Sequence, residues 1–100
     1  MPTTTKVLFR GAAATSSTTL YTVPSATTTV VSNIAITNGS SSAATFTILL
    51  NDIELHFNSP LAANSTAYVD LKQVLNATNT IKGLASATTV DFHISGVEIA

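Results

Sequence analysis

Few residues of this chain are of types that do chemistry. Asp52, Glu54 and His56 alternate along one short segment. Alternate residues of a β-strand project the same way, about 6–7 Å apart. A metal would need the three to converge, and a flat strand does not make them do so. The spacing suits a charged, solvated face that protects a strand edge. His56 and His93 have Asp70 and Asp91 as candidate partners. No serine sits in a nucleophile-elbow setting such as G-x-S-x-G, so a hydrolytic triad has no anchor. His93 alternates with Phe92 and Ile94 and reads as a surface or interface residue. Gly11, Gly39, Gly83 and Gly96 lie too far apart to cradle a phosphate. Tyr21 and Tyr68 are candidates for stacking on a sugar, whereas Phe46, Phe57 and Phe92 alternate with polar residues and are better placed in a core. Three Asn-x-Ser/Thr triplets, at Asn38, Asn64 and Asn76, are expected by chance in a chain so rich in these residues. The reading is a protein without catalytic residues, metal or cofactor.

The elements that position these residues are strands. Residues 44–57 read as a hairpin closed by Asn51-Asp52, two residues that tolerate the positive φ of a type I′ turn. A two-residue loop sets Leu50 opposite Ile53, Ile48 opposite Leu55 and Phe46 opposite Phe57, all on one apolar face. Leu49 with Glu54 and Thr47 with His56 take the other face. A slip of one residue would expose the whole apolar set, which specifies the register.

Elsewhere, Leu20–Val23 is a short strand ended by Pro24, which lacks a ladder donor. Thr27–Thr37 is a long strand, with Val30, Ile34 and Ile36 on one face and Val31, Asn33, Ala35 and Thr37 on the other. Asn38–Ser42 is a loop. Thr66–Leu71 sets Ala67, Val69 and Leu71 against Tyr68 and Asp70, and residues 72–75 continue it or form a helical turn. Thr80–Ala85 is a weaker strand. In Thr89–Ile99 the apolar positions change parity at Ser95-Gly96, which predicts a β-bulge there or a strand serving two sheets. Seven or eight short strands with turn signals between them indicate an antiparallel β-sandwich or small barrel. Jelly-roll-like and immunoglobulin-like orders are not separable by pattern, though no Trp and no Cys pair supports a true immunoglobulin domain.

Residues 1–19 stand apart as an arm and linker, with the sandwich over 20–100. Lys6, Val7, Leu8, Phe9 and Arg10 form a short apolar island followed by small residues. It either adds a strand to a neighbouring subunit or completes an edge of its own sheet. A length of 100 residues means one domain. With 9% charged residues, a net charge of -1 and no cysteine, the surface must be built of Thr, Ser, Asn and Ala. Ordinary soluble domains carry roughly a quarter charged residues. Such a surface is suited to packing against copies of itself or other subunits. It lacks the basic face of a nucleic-acid binder, and no apolar run reaches membrane-spanning length. The N-terminus lacks the apolar stretch of a signal peptide, so export by a cleaved signal is not expected.

The phrases Tyr21-Thr-Val-Pro24, Val31-Ser-Asn-Ile-Ala-Ile-Thr-Asn38, Ser42-Ala-Ala-Thr-Phe-Thr47 and Asp91-Phe-His-Ile-Ser-Gly-Val-Glu98 resemble small virion structural proteins of tailed bacteriophages, over residues 20–99. The resemblance implies a β-sandwich in a repeating assembly. The first expectation is a non-enzymatic capsid decoration (cement) protein that binds between capsomers as a homo-oligomer, a trimer being favoured. Its partners would be the major capsid protein or other virion proteins. It would reside in the virion, assembled in the host bacterial cytoplasm. The alternative is a neck or tail component, or a carbohydrate-binding sandwich of a phage tail. Contact through Lys6–Arg10 and the loops at 38–42 and 58–65 would hold it in place.

Overall fold

Thr, Val and Ile recur at alternate positions through much of the chain, a pattern that fits a pleated surface buried on one side. In the computed structural model, which describes residues 3–100, it becomes eight strands. These are β1 (Thr3–Ala12), β2 (Thr18–Thr22), β3 (Thr28–Asn38), β4 (Ala44–Leu50), β5 (Ile53–Leu61), β6 (Ser65–Leu75), β7 (Thr80–Ala85) and β8 (Val90–Ile99). They form two four-stranded sheets, in the orders β1-β8-β3-β6 and β2-β7-β4-β5. Every pairing is antiparallel.

The pairs β1·β8, β2·β7, β3·β6 and β4·β5 are nested one inside the next. The chain is therefore one long hairpin rolled up on itself, and β3·β8 and β4·β7 are the pairings made by rolling. That order is the jelly roll, which settles the choice the sequence left open. The closed tip is Asn51-Asp52, at φ 51° and 64°, as a type I′ turn requires. The molecule is long and narrow, 45 × 21 × 18 Å.

Between the sheets, Val31, Ile34, Ile36, Val90, Phe92 and Ile94 meet Phe46, Ile48, Ile81 and Ala85. Gly83 makes room for this packing: a Cβ there would lie 3.0 Å from Leu20 Cδ1 and 3.2 Å from Phe92 Cε2. Backbone bonds tie the loops together at each end. At one end Ala13 N–H reaches Val90 O, Gly39 N–H reaches Thr89 O and Asn64 N–H reaches Ser40 O. At the other end Val23 N–H reaches Asn79 O and Asn51 N–H reaches Thr80 O.

Four expectations need correction. First, residues 3–12 pair with β8 along their length. They are an edge strand of the chain's own sheet, so the sandwich begins at β1 and not at residue 20. The rolled hairpin leaves one edge of β8 open, and β1 satisfies its ladder groups. Met1 and Pro2 lie outside the described residues.

Second, the hairpin keeps its expected register only near the turn. Leu50 faces Ile53 and Leu49 faces Glu54, but Ile48 faces His56 and Phe46 faces Ser59. β5 carries two extra residues, one at Leu55 and one within Phe57-Asn58, where Asn58 has φ 47°. Faces are exchanged as a result. Phe57 is 63% exposed, whereas the His56 ring lies 5.5 Å from that of Phe46. A bulge disturbs an edge strand least, because only one side of it is laddered.

Third, β8 itself alternates without a break as far as Gly96. The extra residues stand in its neighbours, Leu8 in β1 opposite Ile94-Ser95 and Ser32 in β3 opposite Ser95-Gly96. The apolar positions change parity because the inward position beyond Gly96 is Glu98, while Val97 and Ile99 turn outward. Fourth, the same bulge at Ser32 puts Val31 in the core with Ile34 and Ile36, and turns Val30 outward.

Candidate functional site

The bulge at Leu8 divides the N-terminal strand into residues that build the core and residues that face outward. Leu8 is 7% exposed and given over to the core, whereas Phe9 packs only partly against it. Lys6 reaches Glu98 at 3.3 Å. Val7, 46% exposed, and Arg10, also exposed, present their side chains outward.

Both belong to the outer face of the sheet β1-β8-β3-β6, which is laid out in rows. One row runs Arg10, His93, Ala35, Tyr68. The next runs Val7, Ser95, Asn33, Asp70, and the one beyond it Thr5, Val97, Val30, Val74. The Ser32 bulge lies between these last two rows and the Leu8 bulge on the other side of Val7, so the bulges form an oblique crease. Shallow depressions lie along it, one bordered by Thr5, Val7, Ser95 and Val97, the other by Asp70, Leu71 and Lys72, with Ser32 shared. The face carries Arg10, Asp70, Lys72 and Asp91 together with two well-exposed apolar side chains, Tyr68 at 73% and Val74 at 60% exposure.

At the edge of the interior, Glu98 organises a polar cluster. The Tyr21 hydroxyl donates to Glu98 Oε2 at 2.5 Å and lies 2.9 Å from Thr29 Oγ1, while Lys6 Nζ reaches the same carboxylate. The hydrogen bond from Tyr21, helped by Lys6, holds the Glu98 carboxyl below its ordinary value. Burial, helped by the bond to Glu98, pushes the Tyr21 hydroxyl up. The Tyr21 hydroxyl is thereby committed within the fold, and its ring packs partly against the core.

At the far end, the loops 13–17, 39–43, 62–64 and 86–89 contain only Ala, Ser, Thr, Gly and Asn. The last three are held by Asn38, which is fully buried. Its Nδ2 donates to Ser42 O at 2.8 Å and to Ala62 O at 3.4 Å, and its Oδ1 accepts from Ser40 N–H at 3.0 Å and the Thr89 hydroxyl at 3.4 Å. One residue thus joins three loops. Sequence reasoning singled out the loops but missed Asn38 as their anchor. Its place at the end of a β-branched strand, directly before Gly39, was the available signal.

The residues considered for chemistry do not converge. Asp52 pairs with Lys82 at 2.7 Å, Glu54 is exposed, and His56 Nδ1 lies 3.3 Å from Ser59 Oγ. Among the described residues no group of three His, Cys, Asp or Glu side chains is disposed to hold a metal. His93 and Asp91 point outward two positions apart on β8.

No protein-family model and no curated protein matches the sequence. Among solved structures, the chain is similar to a chain in the structure of infectious bursal disease virus Gx strain, with a TM-score of 0.59 and 11% sequence identity over 97% of this chain. This chain spans 30% of the length of that viral chain. The likeness is one of fold. The tailed-phage part of the resemblance has no counterpart in it.

Proposed function

We propose that this chain is a non-enzymatic virion structural protein, in the first instance a capsid decoration protein of a tailed bacteriophage that binds between capsomers. The observation that carries the reading is the jelly-roll order over essentially the whole chain, together with a likeness in fold to part of a chain from a solved virus structure. The surface supports it. Only 9% of residues are charged, one whole loop end is uncharged, and apolar side chains stand on an outer sheet face. Such surfaces gain from repeated contacts, because each copy contributes little and symmetry multiplies it. In this reading the neutral loop end and the outward residues Val7 and Arg10 meet the shell, with Leu8 acting only as their support.

The test is reconstitution. Tagged protein is added to purified expanded shells that lack it, and bound copies and shell heat resistance are measured. Saturable binding that raises the shell's heat resistance is the expected result. Substituting Val7→Asp together with Arg10→Glu should weaken attachment while leaving the melting temperature of the free protein nearly unchanged. A protein that neither co-purifies with particles nor binds shells is not a decoration protein.

A further inference from the structure

A sandwich of two open sheets has four edges, and three of these are blunted. β5 carries Pro60 and two bulges, β2 has 5 residues, and β1 is bulged at Leu8 and flanked by Lys6 and Arg10. β6 differs. It is 11 residues long, contains neither Gly nor Pro, alternates its faces through Lys72 although Leu71-Lys72 together oppose the single residue Ser32 of β3, and its far side is unpaired. Tyr68 and Val74, the two most exposed apolar side chains of its sheet, both stand on it, on the outer face. Between them on the same face lie Asp70 and Lys72. Among the described residues the ion pairs are Lys6–Glu98 and Lys82–Asp52, so Asp70 and Lys72 each lack an ionic partner.

We infer that the free edge of β6 pairs with β6 of a second copy of this chain, antiparallel about a twofold axis at Leu71, to make one continuous eight-stranded sheet. The argument is the self-complementarity of the strand. An axis at Leu71 sets Asp70 opposite Lys72 of the second copy and Lys72 opposite its Asp70. The same register sets Tyr68 opposite Val74 in both directions. Side chains directly opposite in an antiparallel pair are close neighbours, and opposite charges there are favourable while like charges are not. Moving the axis by one residue destroys this match: at Asp70 it sets carboxylate against carboxylate, and at Lys72 ammonium against ammonium. A single Lys on an edge strand repels pairing, whereas an acid and a base two positions apart select one partner and one register. On the inner side Leu71 meets its own copy, which extends the apolar interior across the junction. The contact is isologous and closes at two copies, whereas the resemblance to phage virion proteins implied a trimer. It stands independently of any role in a virion.

The experiment is sedimentation equilibrium of the purified chain over a concentration series, with D70K, K72D and the swapped double variant D70K/K72D. Both positions are exposed, and circular dichroism checks that each variant is folded. The wild type is expected to dimerise. Each single variant should weaken the dimer by about tenfold or more, since two attractive pairs become two repulsive ones. The swapped variant should restore it to near the wild-type value. A second readout fixes the register: the chain has no cysteine of its own, and Y68C with V74C should cross-link copies on mild oxidation. Six residues of strand span about 20 Å, so that bond cannot form within one chain. A wild type that stays monomeric, a trimer insensitive to either reversal, or single variants that dimerise as well as the wild type would overturn the inference.

Discussion

Asn38 shows how one residue type at one place can organise a whole end of the fold. Its amide is fully buried and its two polar atoms are distributed among Ser40, Ser42, Ala62 and Thr89. A buried polar group left without a partner costs about 1–3 kcal/mol. Asn38→Ala orphans several backbone groups at once, so a loss of roughly 2–3 kcal/mol is expected by urea denaturation. Amide exchange should quicken in 39–43 and 86–89 first. Glu98 makes the corresponding argument at the other end. The native state holds its carboxyl below the ordinary 4.5, through the Tyr21 bond first and then Lys6. That stabilisation is complete above the unfolded-state value and fades as pH falls through the lower folded-state one. The Tyr21 hydroxyl, raised above 10.0 chiefly by burial, works in the opposite sense. Its contribution is complete below the unfolded-state value and is lost as pH rises through the folded-state one. Thermal unfolding of Glu98→Gln should therefore trail the wild type at pH 7, and the gap should narrow toward about pH 3.

At the scale of elements, the bulges are decisive. Gly96 sits at the place where β3 accommodates its extra residue against β8, close to where β1 does so. A Cβ there would run into the Val30 carbonyl oxygen and stand 3.0 Å from Leu8 Cδ1. Gly96→Ala should cost roughly 1–3 kcal/mol through overpacking against backbone that cannot step aside. Gly39→Ala, whose Cβ would come no nearer than 3.9 Å to any such atom, is the control, expected within about 0.5 kcal/mol by the same denaturation assay. The alternation of Ala67 and Val69 against Tyr68 and Asp70 was legible because β6 pairs regularly with β3 as far as Asp70. The faces of β5 were not, because Phe57 and His56 alternate in sequence just as a regular strand would. Only the pairing with β4 shows that two residues lie outside the ladder. The parity change at Ser95-Gly96 was a true signal read into the wrong strand: the apolar positions do change faces on β8, but the inserted residues are Leu8 and Ser32.

For the whole molecule, the N-terminal strand matters most. Had residues 1–19 been an arm, their removal would have left a stable domain. As an edge strand, β1 contributes Leu8 to the core and the ladder along β8. Truncation to residue 13 should therefore abolish or sharply lower the cooperative melting transition seen by calorimetry, since it leaves β8 half-paired and opens the core. What the sequence determined by itself is what depends on neighbouring residues. That includes the β character of the chain, most strand positions, the turn at Asn51-Asp52 and the scarcity of charge. The tertiary structure alone decided which strands are neighbours, whether β1 belongs to its own sheet, where the extra residues fall, and that Tyr21, Glu98 and Lys6 meet. Those choices depend on pairings between segments distant in the chain, and period-two alternation is equally compatible with many such pairings. The jelly roll is selected because nested pairing and rolling bury the apolar faces of both sheets in a single step.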